Sequence, residues 1–130
     1  MQYIITCPKP IDTSITLPAS KSISNRALII QALTKGGMIP ENLSDCDDTE
    51  VIIRGLNKQS DIIDIKAAGT AMRFMTAYLS ATNSENTITG TERMKHRPIG
   101  ILVDALRDLG AEIEYVGEEG FPPLHIRGKQ

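Results

Sequence analysis

The sequence predicts a mixed α/β (α+β) fold, built as about two related units in which helices and strands alternate. Three observations lead there. Apolar residues recur at helical spacing in four stretches and alternate in the short segments between them. Glycine or proline punctuates most of the changes of period. The 130 residues contain no low-complexity stretch and no linker, so 1–130 is read without an internal boundary. At 41% hydrophobic and 23% charged, the composition is that of a soluble globular chain whose core must be aliphatic, since Trp is absent and Phe and Tyr number two and three.

The elements follow in order. Ile11–Leu17 alternates loosely up to Pro18 and reads as a short strand. Ser22–Lys35 reads as a helix with Ile23, Ala27, Ile30 and Leu33 on its inner stripe, stopped by Gly36-Gly37. Met38–Leu43 carries Pro40 and reads as a short extended edge. Asp45–Asn57 is a second helix with Val51, Ile52 and Leu56 inward, and Asp61–Lys66 a strand. Thr70–Ala81 is a third helix, with Met72, Met75 and Leu79 on one stripe and Phe74 and Tyr78 on another. Asn86–Thr89 is a strand. Pro98–Leu109 is the clearest helix, with proline in its first turn, Ile99, Leu102, Leu106 and Leu109 as a stripe, and Gly110 as terminator. Glu112–Val116 and Leu124–Arg127 are strands joined through a hairpin loop at Gly117–Gly120.

Several function classes fall away. No apolar run approaches the ~18 residues that cross a bilayer, and Met1–Ile5 lacks the basic region and long apolar stretch of a signal peptide. A net charge of −2 and few aromatic residues argue against nucleic-acid binding. Cys7 and Cys46 lie in no CxxC pair and near no histidine, so two reduced thiols are expected, and no metal site. His96 and His125 read as ordinary polar residues. The acidic stretch Ser44–Glu50 lacks the spacing of a calcium loop and reads as helix capping. Neither a P-loop nor a G-x-G-x-x-G turn is present.

Helix starts carry the informative chemistry. Their free N–H groups and dipole favour carboxylates and disfavour cations, each by roughly 0.3–1 kcal/mol. The second helix obeys, with Asp45, Asp47, Asp48 and Glu50. The other three break the rule: Lys21 and Arg26 at the first, Arg73 in the first turn of the third, and Lys95, His96 and Arg97 at the fourth. A bound anion would reverse the sign of that conflict, because N–H groups, dipoles and guanidinium groups would then cooperate. Gly69 would let backbone approach the anion closely, and Ser20, Ser22 and Ser24 add hydroxyl donors. A site for phosphate or carboxylate groups, shared by several helix starts, is the expectation.

Three stretches in register then carry a resemblance: Leu17-Pro-Ala-Ser-Lys-Ser-Ile-Ser-Asn-Arg-Ala-Leu28, Ala68-Gly-Thr-Ala-Met-Arg73, and Arg93-Met-Lys-His-Arg-Pro-Ile-Gly100 with Leu102-Val-Asp-Ala-Leu106. With Asp47-Asp48 and Phe121-Pro-Pro-Leu124 they span nearly the whole chain and closely resemble the N-terminal part of the 3-phosphoshikimate 1-carboxyvinyltransferase (EPSP synthase) family. The resemblance implies a fold of two similar domains, each of three βαβαββ units whose helix starts face the cleft between domains. It implies transfer of the enolpyruvyl group of phosphoenolpyruvate to the 5-hydroxyl of shikimate 3-phosphate, with release of phosphate and no cofactor or metal, in the cytoplasmic pathway to chorismate and the aromatic amino acids. By position, Lys21 would touch both substrates, and Ser22 and Arg26 would hold shikimate 3-phosphate. Gly69, Thr70 and Arg97 would hold phosphoenolpyruvate, with Arg97 also a contact for glyphosate, while Arg73 is structural or electrostatic. Ala67 departs from the family's usual Asn and removes an amide from the pocket rim. Phe74, where many members have Pro or an aliphatic residue, should alter helix packing.

Family members are roughly three times as long, and the resemblance places their proton-transfer groups and further arginines outside this stretch. The expectation is therefore a single partial domain over 1–130, inactive alone, that packs against the remainder of its own chain. A stand-alone anion-binding domain is the alternative from another class. A UDP-N-acetylglucosamine enolpyruvyl transferase is a close variant, whose corresponding stretch usually carries Lys-Asn instead of Lys-Ser.

Overall fold

The computed structural model describes residues 1–7, 10–34, 36–57 and 60–129. Nine elements follow one another: helices α1 (Lys21–Leu33) and α2 (Asp47–Leu56), strand β1 (Ile62–Asp64), helix α3 (Gly69–Ser80), strand β2 (Glu85–Thr89), helices α4 (Glu92–Lys95) and α5 (Gly100–Asp108), and strands β3 (Glu112–Tyr115) and β4 (Leu124–Arg127). The mixed α/β class is as expected, with one four-stranded sheet in the order β1-β2-β4-β3.

From β1 onward the chain traces one β-α-β-α-β-β unit, its second crossover made by α4 and α5 together. Strand β1 runs parallel to β2, with α3 as the crossover between them. Strand β4 returns antiparallel between β2 and β3, so the β3–β4 hairpin closes the sheet through its second strand. Alternation sends Ile63, Ile88, Ile113, Leu124 and Ile126 to one face, where they are buried against Met72, Met75 and Leu79 of α3. The opposite face is a charged ladder. Arg127 donates to Glu85 (3.2 Å) and Glu114 (3.4 Å), Lys129 pairs with Glu112, and His125 lies between Thr87 and Glu85.

Residues 1–57 supply helices and no strand among those described. The strand expected over 11–17 and the extended edge expected over 38–43 are unpaired chain, with Ile11, Ile15, Leu17, Met38 and Ile39 exposed. Both segments have strand-like patterning and no neighbouring strand to accept their backbone hydrogen bonds, which removes the reason to extend. Helix α1 also turns a different face inward. Ser24, Asn25 and Leu28 are buried, whereas Ile23, Ile30 and Leu33 of the expected stripe are exposed. A polar seam explains the rotation. Ser24 Oγ accepts the Ser44 N–H at 2.8 Å and Thr49 Oγ1 donates to Asn25 Oδ1 at 2.8 Å, joining α1 to α2. Of the displaced aliphatic residues, Ile30 and Leu33 border an apolar groove of about 480 Å³ between α1, α3 and α5, with Phe74, Tyr78 and Leu106 on its other walls. The end expected for α1 at Lys35 lies outside the described residues, but Gly36 has φ +120°, the backbone a helix stop favours.

The expected helix over 98–109 divides differently. Helix α5 starts at Gly100, and its N-cap Ile99 donates its N–H to Gly120 O at 2.9 Å. The preceding four-residue α4 is capped by the Thr91 hydroxyl, which accepts from Met94 N at 3.4 Å. Ile99 and Val103 are buried, Leu102 and Leu106 half-buried, and Leu109 exposed.

Candidate functional site

The basic residues at the helix starts fall into two groups. The first belongs to α1. Ser20 caps it, its Oγ accepting from Ile23 N at 3.4 Å. Lys21, the first helical residue, is half-exposed and reaches Asp48 in the first turn of α2, Nζ to Oδ2 3.4 Å. The conflict read from sequence at this helix start is thus partly relieved by a neighbouring carboxylate. Arg26 lies one turn further on. It donates to Ser22 O at 3.0 Å and stacks its guanidinium over the Phe74 ring of α3, 5.5 Å from the centroid. Phe74 is thus an aromatic plate for Arg26.

The second group assembles at the start of α3. Gly69 and Thr70 open that helix with no side-chain cap, so its leading N–H groups have no capping oxygen. Arg97 comes to them from the linker between α4 and α5. A Cβ built at Gly69 would stand 2.8 Å from Arg97 Cζ and 3.0 Å from Nη2, so only glycine allows the guanidinium to rest there. Beside it a hollow of about 190 Å³ is lined by Ala67, Arg93, Met94 and Arg97. Among the described residues, neither Arg93 nor Arg97 has an acidic partner, although every other arginine of the sheet half except Arg73 is ion-paired. Two unneutralised guanidinium groups line one small space, and one of them, that of Arg97, also rests on the start of α3, an arrangement suited to an oxyanion.

This differs from the charge pattern read in the sequence. Lys95 and His96 do not stand at the start of a long helix. They close α4, in its last turn and at its C-cap, where cations are favourable. Lys95 pairs with Glu92 at 2.7 Å and His96 Nδ1 lies 2.7 Å from Glu92 O. Arg97 alone of that trio is released, and it serves the start of α3, not of α5. The reason is the break at Pro98 and Ile99, which periodicity could not reveal. Arg93 went unremarked as a lining residue; the cue was its i, i+4 spacing to Arg97 across a Thr-capped turn. Ala67 lines the same hollow.

Arg73 makes bonds at both ends of its guanidinium, to Gly69 O (3.1 Å) and Pro98 O (3.2 Å). Among the described residues there is no group of three His, Cys, Asp or Glu side chains that could hold a metal, and Cys7 and Cys46 form no disulfide.

Comparison with known proteins gives the family of the chain. The family described as EPSP synthase (3-phosphoshikimate 1-carboxyvinyltransferase) matches over residues 5–59 and 50–130. A 3-phosphoshikimate 1-carboxyvinyltransferase of Bacteroides fragilis is 65% identical over 130 residues, covering 100% of this chain and 32% of the relative. That of Ralstonia nicotianae is 41% identical over 140 residues, covering 88% of this chain and 32% of the relative. Among solved structures, EPSP synthase from Acinetobacter baumannii superposes with TM-score 0.75 at 23% identity, over 89% of this chain and 32% of that one. The chain thus spans about a third of the length of the curated relatives it matches.

Proposed function

The chain belongs to the EPSP synthase family, and from that membership we propose that it supplies part of the substrate-binding surface of an enzyme that transfers the enolpyruvyl group of phosphoenolpyruvate to the 5-hydroxyl of shikimate 3-phosphate, releasing phosphate. The observation that carries the proposal is the Arg97 guanidinium seated on Gly69 at the uncapped start of α3, with Arg93 beside the same hollow and, among the described residues, no carboxylate neutralising either.

In this reading the α3 start and Arg97 receive phosphoenolpyruvate. The Gly69 and Thr70 N–H groups donate to an oxyanion while the guanidinium supplies the opposing charge. Ser22 and Arg26 on α1 take shikimate 3-phosphate, the phosphate charge being matched by Arg26 and the hydroxyl of Ser22 adding a donor. Lys21 exchanges its Asp48 contact for the two substrates and so sits between them. Binding alone orients the reactants. The acid and base steps of addition and elimination need titrating groups within hydrogen-bond reach of the reacting carbons, and these are assigned to the rest of the enzyme. The chain is then a partial domain that packs against that remainder and has no turnover alone. Its substrates are small cytoplasmic metabolites, and neither nucleic acid nor a membrane takes part.

The test is a titration of the isotope-labelled chain, first with shikimate 3-phosphate and then with phosphoenolpyruvate, followed by amide shifts. Responses are expected at 20–26 for the first ligand and at 69–73 and 95–98 for the second. Responses confined to other residues would sink the site. Robust turnover by the chain alone would sink the partial-domain reading.

A further inference from the structure

We infer that Arg73 is a positioning residue that clamps the Arg97-bearing linker onto the start of α3. The inference rests on the reading of Gly69 and Arg97 as an oxyanion site and adds how that site keeps its shape. Residues 96–99 leave α4 and enter α5 with few fixed points. The Arg97 N–H donates to Met94 O at 3.0 Å and the Ile99 N–H to Gly120 O at 2.9 Å. Between them Pro98 has no N–H, so its carbonyl is the only backbone hydrogen-bonding group it offers. Arg73 Nη2 donates to that carbonyl at 3.2 Å, across 25 residues of sequence, while Nη1 donates to Gly69 O at 3.1 Å. Both anchors are immediate neighbours of the functional pair: Gly69 itself, and the residue after Arg97.

The geometry accounts for an otherwise unfavourable placement. Arg73 is the fifth residue of α3 and is half-buried, and its side chain runs back toward the helix start, as long side chains on helices do. A cation there opposes the helix dipole, yet no carboxylate is paired with it among the described residues; two carbonyl oxygens take that place. A planar fork can bridge two acceptors on different elements at once, with little freedom left over. An ammonium on a flexible stem keeps the charge but loses that rigid span. Arg73 therefore acts through the linker rather than on the ligand, and lysine cannot replace it.

The experiment compares wild type, Arg73→Lys and Arg73→Gln in the labelled chain, with phosphoenolpyruvate and shikimate 3-phosphate as separate probes. Both variants are expected to weaken the phosphoenolpyruvate response of Gly69 and Arg97 by roughly five- to tenfold. The shikimate 3-phosphate response at Ser22 should change by less than about twofold. Retention of wild-type affinity in Arg73→Lys with loss in Arg73→Gln would make charge, not geometry, the cause and overturn the clamp; so would unchanged affinity in both. A ligand-free readout separates this inference from the functional one. The Arg97 side-chain Nε–H should show a through-space contact to the Gly69 α-protons in wild type and lose it in Arg73→Lys. If that contact persists in both variants, the clamp is wrong whatever the ligands do. If wild type ignores phosphoenolpyruvate, the functional reading fails and the clamp stands or falls on this contact alone.

Discussion

Residues 61–129 and residues 1–57 are similarly aliphatic, yet they bury their apolar side chains to different degrees. In the sheet half, Ile65, Ile88, Leu124 and Ile126 are fully buried. In the other half Ile4, Ile5, Ile11, Ile15 and Leu17 are all exposed, and among the described residues full burial of apolar side chains is confined to Leu28 on α1 and to α2. The sheet half closes because β1, β2, β4 and β3 satisfy one another's backbone groups and present one apolar face to α3. The other half has helices that lean on α3 and strand-like segments with nothing to pair with. A hydrophobic pattern is thus a capacity for burial, and a partner surface is what realises it.

Substitutions in the two halves test this difference in burial. Leu124→Ala, in the centre of the sheet, should cost about 2–5 kcal/mol, measured by urea unfolding. A loss under 1 kcal/mol would deny that the sheet half is the stable core. Asn25→Ala should cost about 1–3 kcal/mol by leaving the buried Thr49 hydroxyl without its acceptor. No loss would mean that the polar seam does not hold α1 to α2. Gly69→Ala should leave stability within about 1 kcal/mol but drive the Arg97 guanidinium from its seat, weakening phosphoenolpyruvate binding by about tenfold or more; calorimetry would read the difference. Ile30→Lys, on the exposed face of α1, should stay within about 0.5 kcal/mol of wild type.

The smallest effect concerns pH. Hydrogen bonds from Arg127 and His125 hold the Glu85 carboxyl below its ordinary range, and Lys129 does the same for Glu112. Both folded values are depressed, so their contribution is present above the unfolded carboxylate range and fades as pH falls through the folded one. Both carboxylates lie on the solvent-exposed face of the sheet, so the loss is a shallow slope. Glu85→Gln should flatten it, and an unchanged slope would show that the charged ladder adds nothing measurable.

Much of this protein was legible in its sequence. The helix over α3, the β3–β4 hairpin and the inward face of α2 follow from periodicity and punctuation alone, because in each case local pattern and tertiary environment agree. The basic residues at the starts of α1 and α3, and the three motifs in register, were equally plain. The tertiary structure decided the rest. It turned α1 so that Ser24 and Asn25, not Ile23 and Ile30, meet α2. It left 11–17 unpaired, because extension is stable only beside another strand. It broke the chain at Pro98 and Ile99, so that Arg97 serves the start of α3, the helix that opens at Gly69. Spacing along the chain records which residue types are available. Which of them share one small space depends on contacts between distant segments, and those exist only once the chain has folded.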